Sequence, residues 1–162
     1  YKDLAIIMGD AAHAIVPFFG QGMNASFQDC TVINNLIDEN SLDLGSAFKA
    51  FGTEHVPNGY AIADMALENY IEMRDSVNNS EYKKHRELEL FLEDKFPERF
   101  IPRYSMVSFN EIPYSEVYRR GEIQSGIIKD FISGKISESI RDKEIINKLS
   151  PIRKNNNNKA RK

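Results

Sequence analysis

A five-residue apolar run, Leu4-Ala5-Ile6-Ile7-Met8, delivers the chain to a stretch that reads GDAAHAIVPFFGQGMNASFQD. This junction constrains the fold more than any other feature. A short, continuous apolar run ending on Gly-Asp reads as a buried strand, and a strand of that kind needs neighbours on both sides. Little else in the chain reads as strand. Tyr1-Lys2-Asp3 leads straight into it, with no methionine, so the chain is expected to be the C-terminal piece of something larger. The expected class is α+β and mainly helical.

The helical expectation comes from spacing. Phe27, Cys30, Ile33, Leu36 and Ile37 recur every three or four residues, the stripe a helix buries. Asn40-Ser41 closes that segment. A second helix is predicted from Ser46 to about His55, with Ala47, Phe48 and Phe51 on one face. A third runs from about Asn58 to Val77, with Pro57 at its start, where no N–H is needed. Asn78-Asn79-Ser80 breaks it. Glu81–Lys95 places Tyr82, His85, Leu88, Phe91 and Leu92 in register, and Pro97 and Pro102 bracket an irregular link. Tyr104 to Phe109 is short and β-prone, so a strand or extended loop is expected there. Another helix is predicted from Tyr114 to Phe131, and residues 133–149 carry a weaker amphipathic pattern. The expected division is a nucleotide-motif part at 1–38, a helical region at 39–131, and a polar, basic, disordered tail at 132–162.

Composition matters here for what it excludes. With 21 basic residues against 24 acidic and a net charge of −3, nucleic acid is not an expected partner. Residues 151–162 carry Arg153, Lys154, Lys159, Arg161 and Lys162 and no acid, beside a four-asparagine tract. Such a tail can touch an anionic membrane surface, but a solvated, disordered segment is the favoured reading. No window approaches the roughly 20 apolar residues of a membrane span. Cys30 is the only cysteine, so no internal disulfide forms. Three scattered histidines and that cysteine make no metal-ligand cluster.

The opening stretch has chemical as well as structural readings. A carboxylate such as Asp10, at the C-terminal end of a buried strand, lies where α/β sheets bind ligands. It accepts hydrogen bonds and suits a ribose or ribityl chain; a turn cap is the plainer alternative. Gly20-Gln21-Gly22-Met23-Asn24 places a turn before a helix, whose free N–H groups attract negative charge; an ordinary glycine turn competes. Gly20 to Ala25 also fits G-x-G-x-x-A, but the strand ends ten residues earlier, so the dinucleotide reading of these glycines is rejected. Phe18 and Phe19 could wall a flat apolar site or fill a core. His13 reads as structural rather than as a base.

Gly9-Asp10-Ala11-Ala12-His13, followed by Pro17, Gly20, Gly22, Asn24 and Asp29, resembles the second FAD motif of the FAD-dependent aromatic hydroxylases. Pro17 to Asn24, Asn69 to Arg74 and Phe100 to Val107 are similar to the kynurenine-hydroxylating branch. The resemblance runs to about Phe131. It implies the C-terminal part of a Rossmann-type hydroxylase, with FAD as cofactor and NADPH and O₂ as co-substrates. It implies Asp10 on the ribityl chain, Gly22, Met23 and Asn24 against the flavin ring, and Pro17 to Gln21 as a loop over that ring. Asn69 and Tyr104 would bind the amino-acid end of L-kynurenine, with Phe18 and Met73 near its aromatic ring. It assigns no catalytic side chain and no metal.

The residues agree in part. Asn69 and Met73 stand at i and i+4 on one helix face, though a solvated asparagine and a core-filling methionine are ordinary. Arg74 reads as a surface charge. The family's N-terminal glycine-rich fingerprint, its substrate-pairing arginine and the hydrophobic anchor of its mitochondrial members are all missing here. By resemblance the protein belongs at the mitochondrial outer membrane, on its cytosolic face; a cytoplasmic protein is the alternative. This chain alone is expected to be inactive. A different aromatic substrate is the second reading, and a helical interaction module using the faces of 81–95 and 114–131 is the third.

Overall fold

The computed structural model describes residues 5–75 and 79–152. Among them the chain forms eight helices and no strand: α1 (Asp10–His13), α2 (Gly22–Glu39), α3 (Leu44–Glu54), α4 (Val56–Asp75), α5 (Ser80–Lys95), α6 (Arg103–Phe109), α7 (Tyr114–Ile132) and α8 (Glu138–Lys148). The mainly helical expectation holds and the α+β one is corrected. Residues 5–8 carry no regular structure. A strand exists only through ladder bonds to a neighbour, and no described segment offers one. Leu4, Val77, Asn78 and the basic, asparagine-rich residues 153–162 lie outside the described residues.

Helix α7 is the axis. It packs against α4, α5, α6 and α8. Three apolar clusters follow. Ala61, Ile62, Met65 and Ala66 of α4 meet Met106 and Val107 of α6 and Val117 of α7. The alanines let the helix backbones approach. Leu92 of α5 meets Ile127 and Ile128 of α7 and Ile145 and Leu149 at α8. Ile33 and Leu36 of α2 meet Ala47 and Phe51 of α3. Pro57 sits in the first turn of α4, as expected. Asn79 caps α5 by accepting the Glu81 N–H at 2.8 Å.

Three expectations are revised. The buried face of α2 is Ala25, Asp29, Ile33 and Leu36, rotated from the apolar stripe; Phe27 is 64% exposed and Cys30 is exposed. Residues 103–109 form a helix where an extended segment was predicted. Pro102 supplies its extended N-cap, at φ −51° and ψ 144°, and α7 buries Met106 and Val107, so packing overrides β propensity. Residues 138–148, placed by sequence in a disordered tail, form α8. Ser137 caps its start by accepting from the Ile140 N–H. Arg99 Nη1 closes its far end, donating to the carbonyls of Ile146 at 3.0 Å and Leu149 at 2.8 Å. Arg120, 2% exposed, donates through Nη2 to the carbonyls of Arg99 and Ser150.

The face of α7 proposed as a binding surface proves largely internal, with Val117, Ile127 and Ile128 in the core, whereas on α5 only Leu92 is buried and Phe91 stays exposed. Replacing fully buried Leu149 with alanine should destabilise the protein by about 3 kcal/mol, read as a lower urea midpoint. An unchanged midpoint would mean that α8 does not dock.

Candidate functional site

The motif folds around two glycines in left-handed conformations. Gly9 has φ +61° and ψ −149° and Gly20 has φ +64°, values L side chains rarely adopt. The Gly9 carbonyl accepts from the N–H groups of Ala12 and His13 at 2.8 and 2.9 Å, which starts α1. Asp10 opens α1 with its carboxylate exposed, beside a helix rather than at a strand end. Pro17 is exposed, and Gln21 is buried as the N-cap of α2. Gln21 Oε1 accepts from Asn24 Nδ2 at 2.9 Å and from the Tyr114 hydroxyl at 3.2 Å. Gly22, Met23 and Asn24 form the first turn of α2, whose N–H groups have no acceptor within the helix. Met23 and Asn24 face outward.

Asp29 is the residue whose weight the sequence reading missed. It is 2% exposed. Its Oδ2 accepts from the Gly9 N–H at 2.8 Å and from His13 Nε2 at 2.6 Å; its Oδ1 accepts from His55 Nε2 at 2.8 Å. Burial pushes its carboxyl up, but the Gly9 amide and the two imidazoles outweigh that and hold it below its ordinary value of 3.8. His13 Nδ1 is buried without a hydrogen-bond partner. Through Nε2 the ring serves the carboxylate. The signal available in sequence was an acid in register with Ala25, Ile33 and Leu36.

On the other side of α4 lies a cavity of about 200 Å³ lined by Phe19, Asn69, Glu72, Arg86, Arg103 and Tyr104, among others. It brings Asn69 and Tyr104 together across α4 and α6. Asn69 donates through Nδ2 to the Phe18 carbonyl at 3.0 Å, tying α4 to the motif loop. Tyr104, half exposed, stacks on Phe19 with ring centroids 5.9 Å apart. Phe18 and Met73 do not line the cavity. Phe18 packs against Tyr70 at 4.7 Å, and Met73 is 55% exposed one turn beyond Asn69. Arg74 is exposed over the Tyr70 ring. Spacing could not pick out Arg86 or Arg103, because they reach the cavity from separate helices. Arg86 pairs with Glu89 at 2.8 Å; Arg103 pairs with Glu68 and, at 3.0 Å, with Glu122. The cavity thus carries both signs of charge, a phenol and an amide.

A carboxyl held below its ordinary value contributes stability that is present above the unfolded value and lost as pH falls through the folded one. Asp29→Asn should therefore flatten the acid limb of the stability profile below about pH 4. An unaltered limb would show that Asp29 does not govern it.

Residues 2–38 match the model of the FAD binding domain family. The chain is 49% identical over 124 residues to the kynurenine 3-monooxygenase of Stenotrophomonas maltophilia (strain K279a), covering 76% of this chain and 27% of that protein. It is 44% identical over 128 residues to the kynurenine 3-monooxygenase of Caenorhabditis elegans, covering 79% of this chain and 28% of that protein. It is 46% identical over 130 residues to that of Xanthomonas euvesicatoria pv. vesicatoria (strain 85-10), covering 80% of this chain and 28% of that protein. The match thus spans little more than a quarter of these relatives' length, and over that part the chain is similar to the kynurenine 3-monooxygenases.

Proposed function

We propose that the full-length protein containing this chain is an FAD-dependent monooxygenase that hydroxylates L-kynurenine to 3-hydroxykynurenine with NADPH and O₂. The observation that carries the reading is the meeting of Asn69 and Tyr104 in a cavity whose wall is tied, through the Phe18 carbonyl, to the motif loop. Bound FAD would supply the redox chemistry and the activation of O₂; the protein contributes binding, orientation and exclusion of water. The residues present suit that cofactor. Asp10 offers an exposed carboxylate for ribityl hydroxyls. The first-turn amides of Gly22, Met23 and Asn24 suit the electron-rich edge of a flavin ring, under the loop from Pro17 to Gln21.

The cavity, of about 200 Å³, is lined by an amide, a phenol and charged groups of both signs. We assign it the amino-acid end. Tyr104 donates its hydroxyl to the carboxylate. Asn69, with Nδ2 given to Phe18, offers Oδ1 to the α-ammonium. Phe19 replaces Phe18 as the aromatic wall, and Met73 is assigned no contact by this geometry. A different aromatic substrate is the second reading, since the flavin motif is common to the wider hydroxylase family. Placement at the mitochondrial outer membrane, with the cytoplasm as alternative, is proposed from the family resemblance; among the described residues no helix is long and apolar enough to cross a membrane.

The full-length protein should purify yellow and oxidise NADPH in response to kynurenine. A colourless protein with no affinity for FAD would defeat the proposal and restore the interaction-module reading. Tyr104→Phe should raise the KM for kynurenine by at least about tenfold, the loss of one hydrogen bond of about 1.5–3 kcal/mol to a charged group, with kcat little changed. An unchanged KM removes Tyr104 from the substrate grip.

A further inference from the structure

We propose that Asp29 is a positioning residue that sets the Gly9–Asp10 turn against the first turn of α2, and so fixes the two flavin-facing parts of the motif relative to each other. The inference rests on the FAD reading above. Gly9 is held at both ends. Its N–H goes to Asp29 Oδ2 at 2.8 Å, and its carbonyl takes the Ala12 and His13 amides. Its backbone conformation belongs to a region that is nearly glycine-only. Ser26 Oγ lies 3.4 Å from Asp10 Oδ1 and 3.0 Å from the Gly22 carbonyl. A Cβ on Gly9 would come within 3.3 Å of that same oxygen.

Three functions therefore share one side of one helix within eight residues. The free amides open α2 at Gly22, Ser26 meets Asp10 one turn later, and Asp29 grips Gly9 after the next. The span from Gly22 to Asp29 is about 10 Å of rigid helix. The helix acts as a ruler, and Asp29 is the end that holds the turn. The same carboxylate reaches His55, at the corner from which α4 departs toward Asn69.

Two replacements separate geometry from charge. Asparagine in place of Asp29 is isosteric. Its carbonyl can keep the Gly9 and His13 donors, and its amide can donate to His55 once that ring changes tautomer. Alanine in the same place removes the anchor. In the full-length protein, stripped of cofactor and titrated with FAD by quenching of flavin fluorescence, Asp29→Ala should raise the FAD Kd at least about tenfold and Asp29→Asn by less than about threefold. The KM for kynurenine at saturating FAD should stay within about twofold of wild type for both. Should Asp29→Ala fail to fold, Gly9→Ala strains the same turn while keeping the Asp29 side chain and its two histidine partners, and should also weaken FAD about tenfold. A lowered melting temperature with an unchanged FAD Kd would make Asp29 merely structural and overturn the proposal. So would Asp29→Asn losing FAD as badly as Asp29→Ala. A wild-type protein that takes up no FAD would instead overturn the flavin reading itself.

Discussion

A carboxylate buried inside a helical fold is tolerable only when donors satisfy it, since an unpaired interior charge costs several kcal/mol. Asp29 meets that condition with three donors drawn from separate parts of the chain: the Gly9 amide, His13 of α1 and His55 at the α3–α4 corner. These bonds tie residues 16 to 26 positions apart in sequence. They set how the opening stretch lies on α2, and how α2 and α3 meet α4. The positions of Asp10 and of the turn that carries it follow from this joint.

The rest of the fold supplies a frame for it. Helix α7 carries the two larger cores along its length, one at its N-terminal half and the other at its C-terminal half, and its buried Arg120 ties two loop carbonyls together. That guanidinium gives Nη2 to the carbonyls of Arg99 and Ser150, while Arg99 closes the end of α8. Arg141, equally buried, lies over the Phe131 ring at 4.5 Å and pairs with Glu138 and Asp142. Neither lines the Asn69–Tyr104 cavity. The arginines that do line it, Arg86 and Arg103, sit at its wall already paired with glutamates. The Arg103 side chain lies so close over Gly121 that a Cβ there would come within 2.5 Å of its Nε. A glycine in the middle of α7 is what lets that arginine lie flat and reach both Glu68 and Glu122.

The structure also joins the two sites that sequence could only juxtapose in name. The Asn69 amide holds the Phe18 carbonyl, Phe19 stacks on Tyr104, and Gln21 Oε1 takes the Tyr114 hydroxyl. The loop from Pro17 to Gln21 is thus pinned by α4, α6 and α7 at once. A loop restrained at three points presents a defined backbone.

Periodicity, proline placement and capping residues were enough to locate α2, α3, α4, α5 and α7, because those signals are local. The motif around Gly9 and Gly20 was legible for the same reason: positive φ and a helix start leave glycines in fixed places. The face of α2 was not legible. Phe27 and Cys30 extend an apolar stripe, yet a buried acid with distant donors decides which side turns inward. Nor was the helix at 103–109, where β-prone residues yield to Pro102 and to burial on α7. The strand expected of Leu4 to Met8 has no counterpart at residues 5–8, since ladder bonds require a partner strand. Asn69 and Tyr104 could be named from sequence. That they face one cavity with Phe19 and Arg103, while Phe18 and Met73 do not, was decided only by tertiary packing, because side chains from different helices acquire a common neighbourhood only when those helices dock.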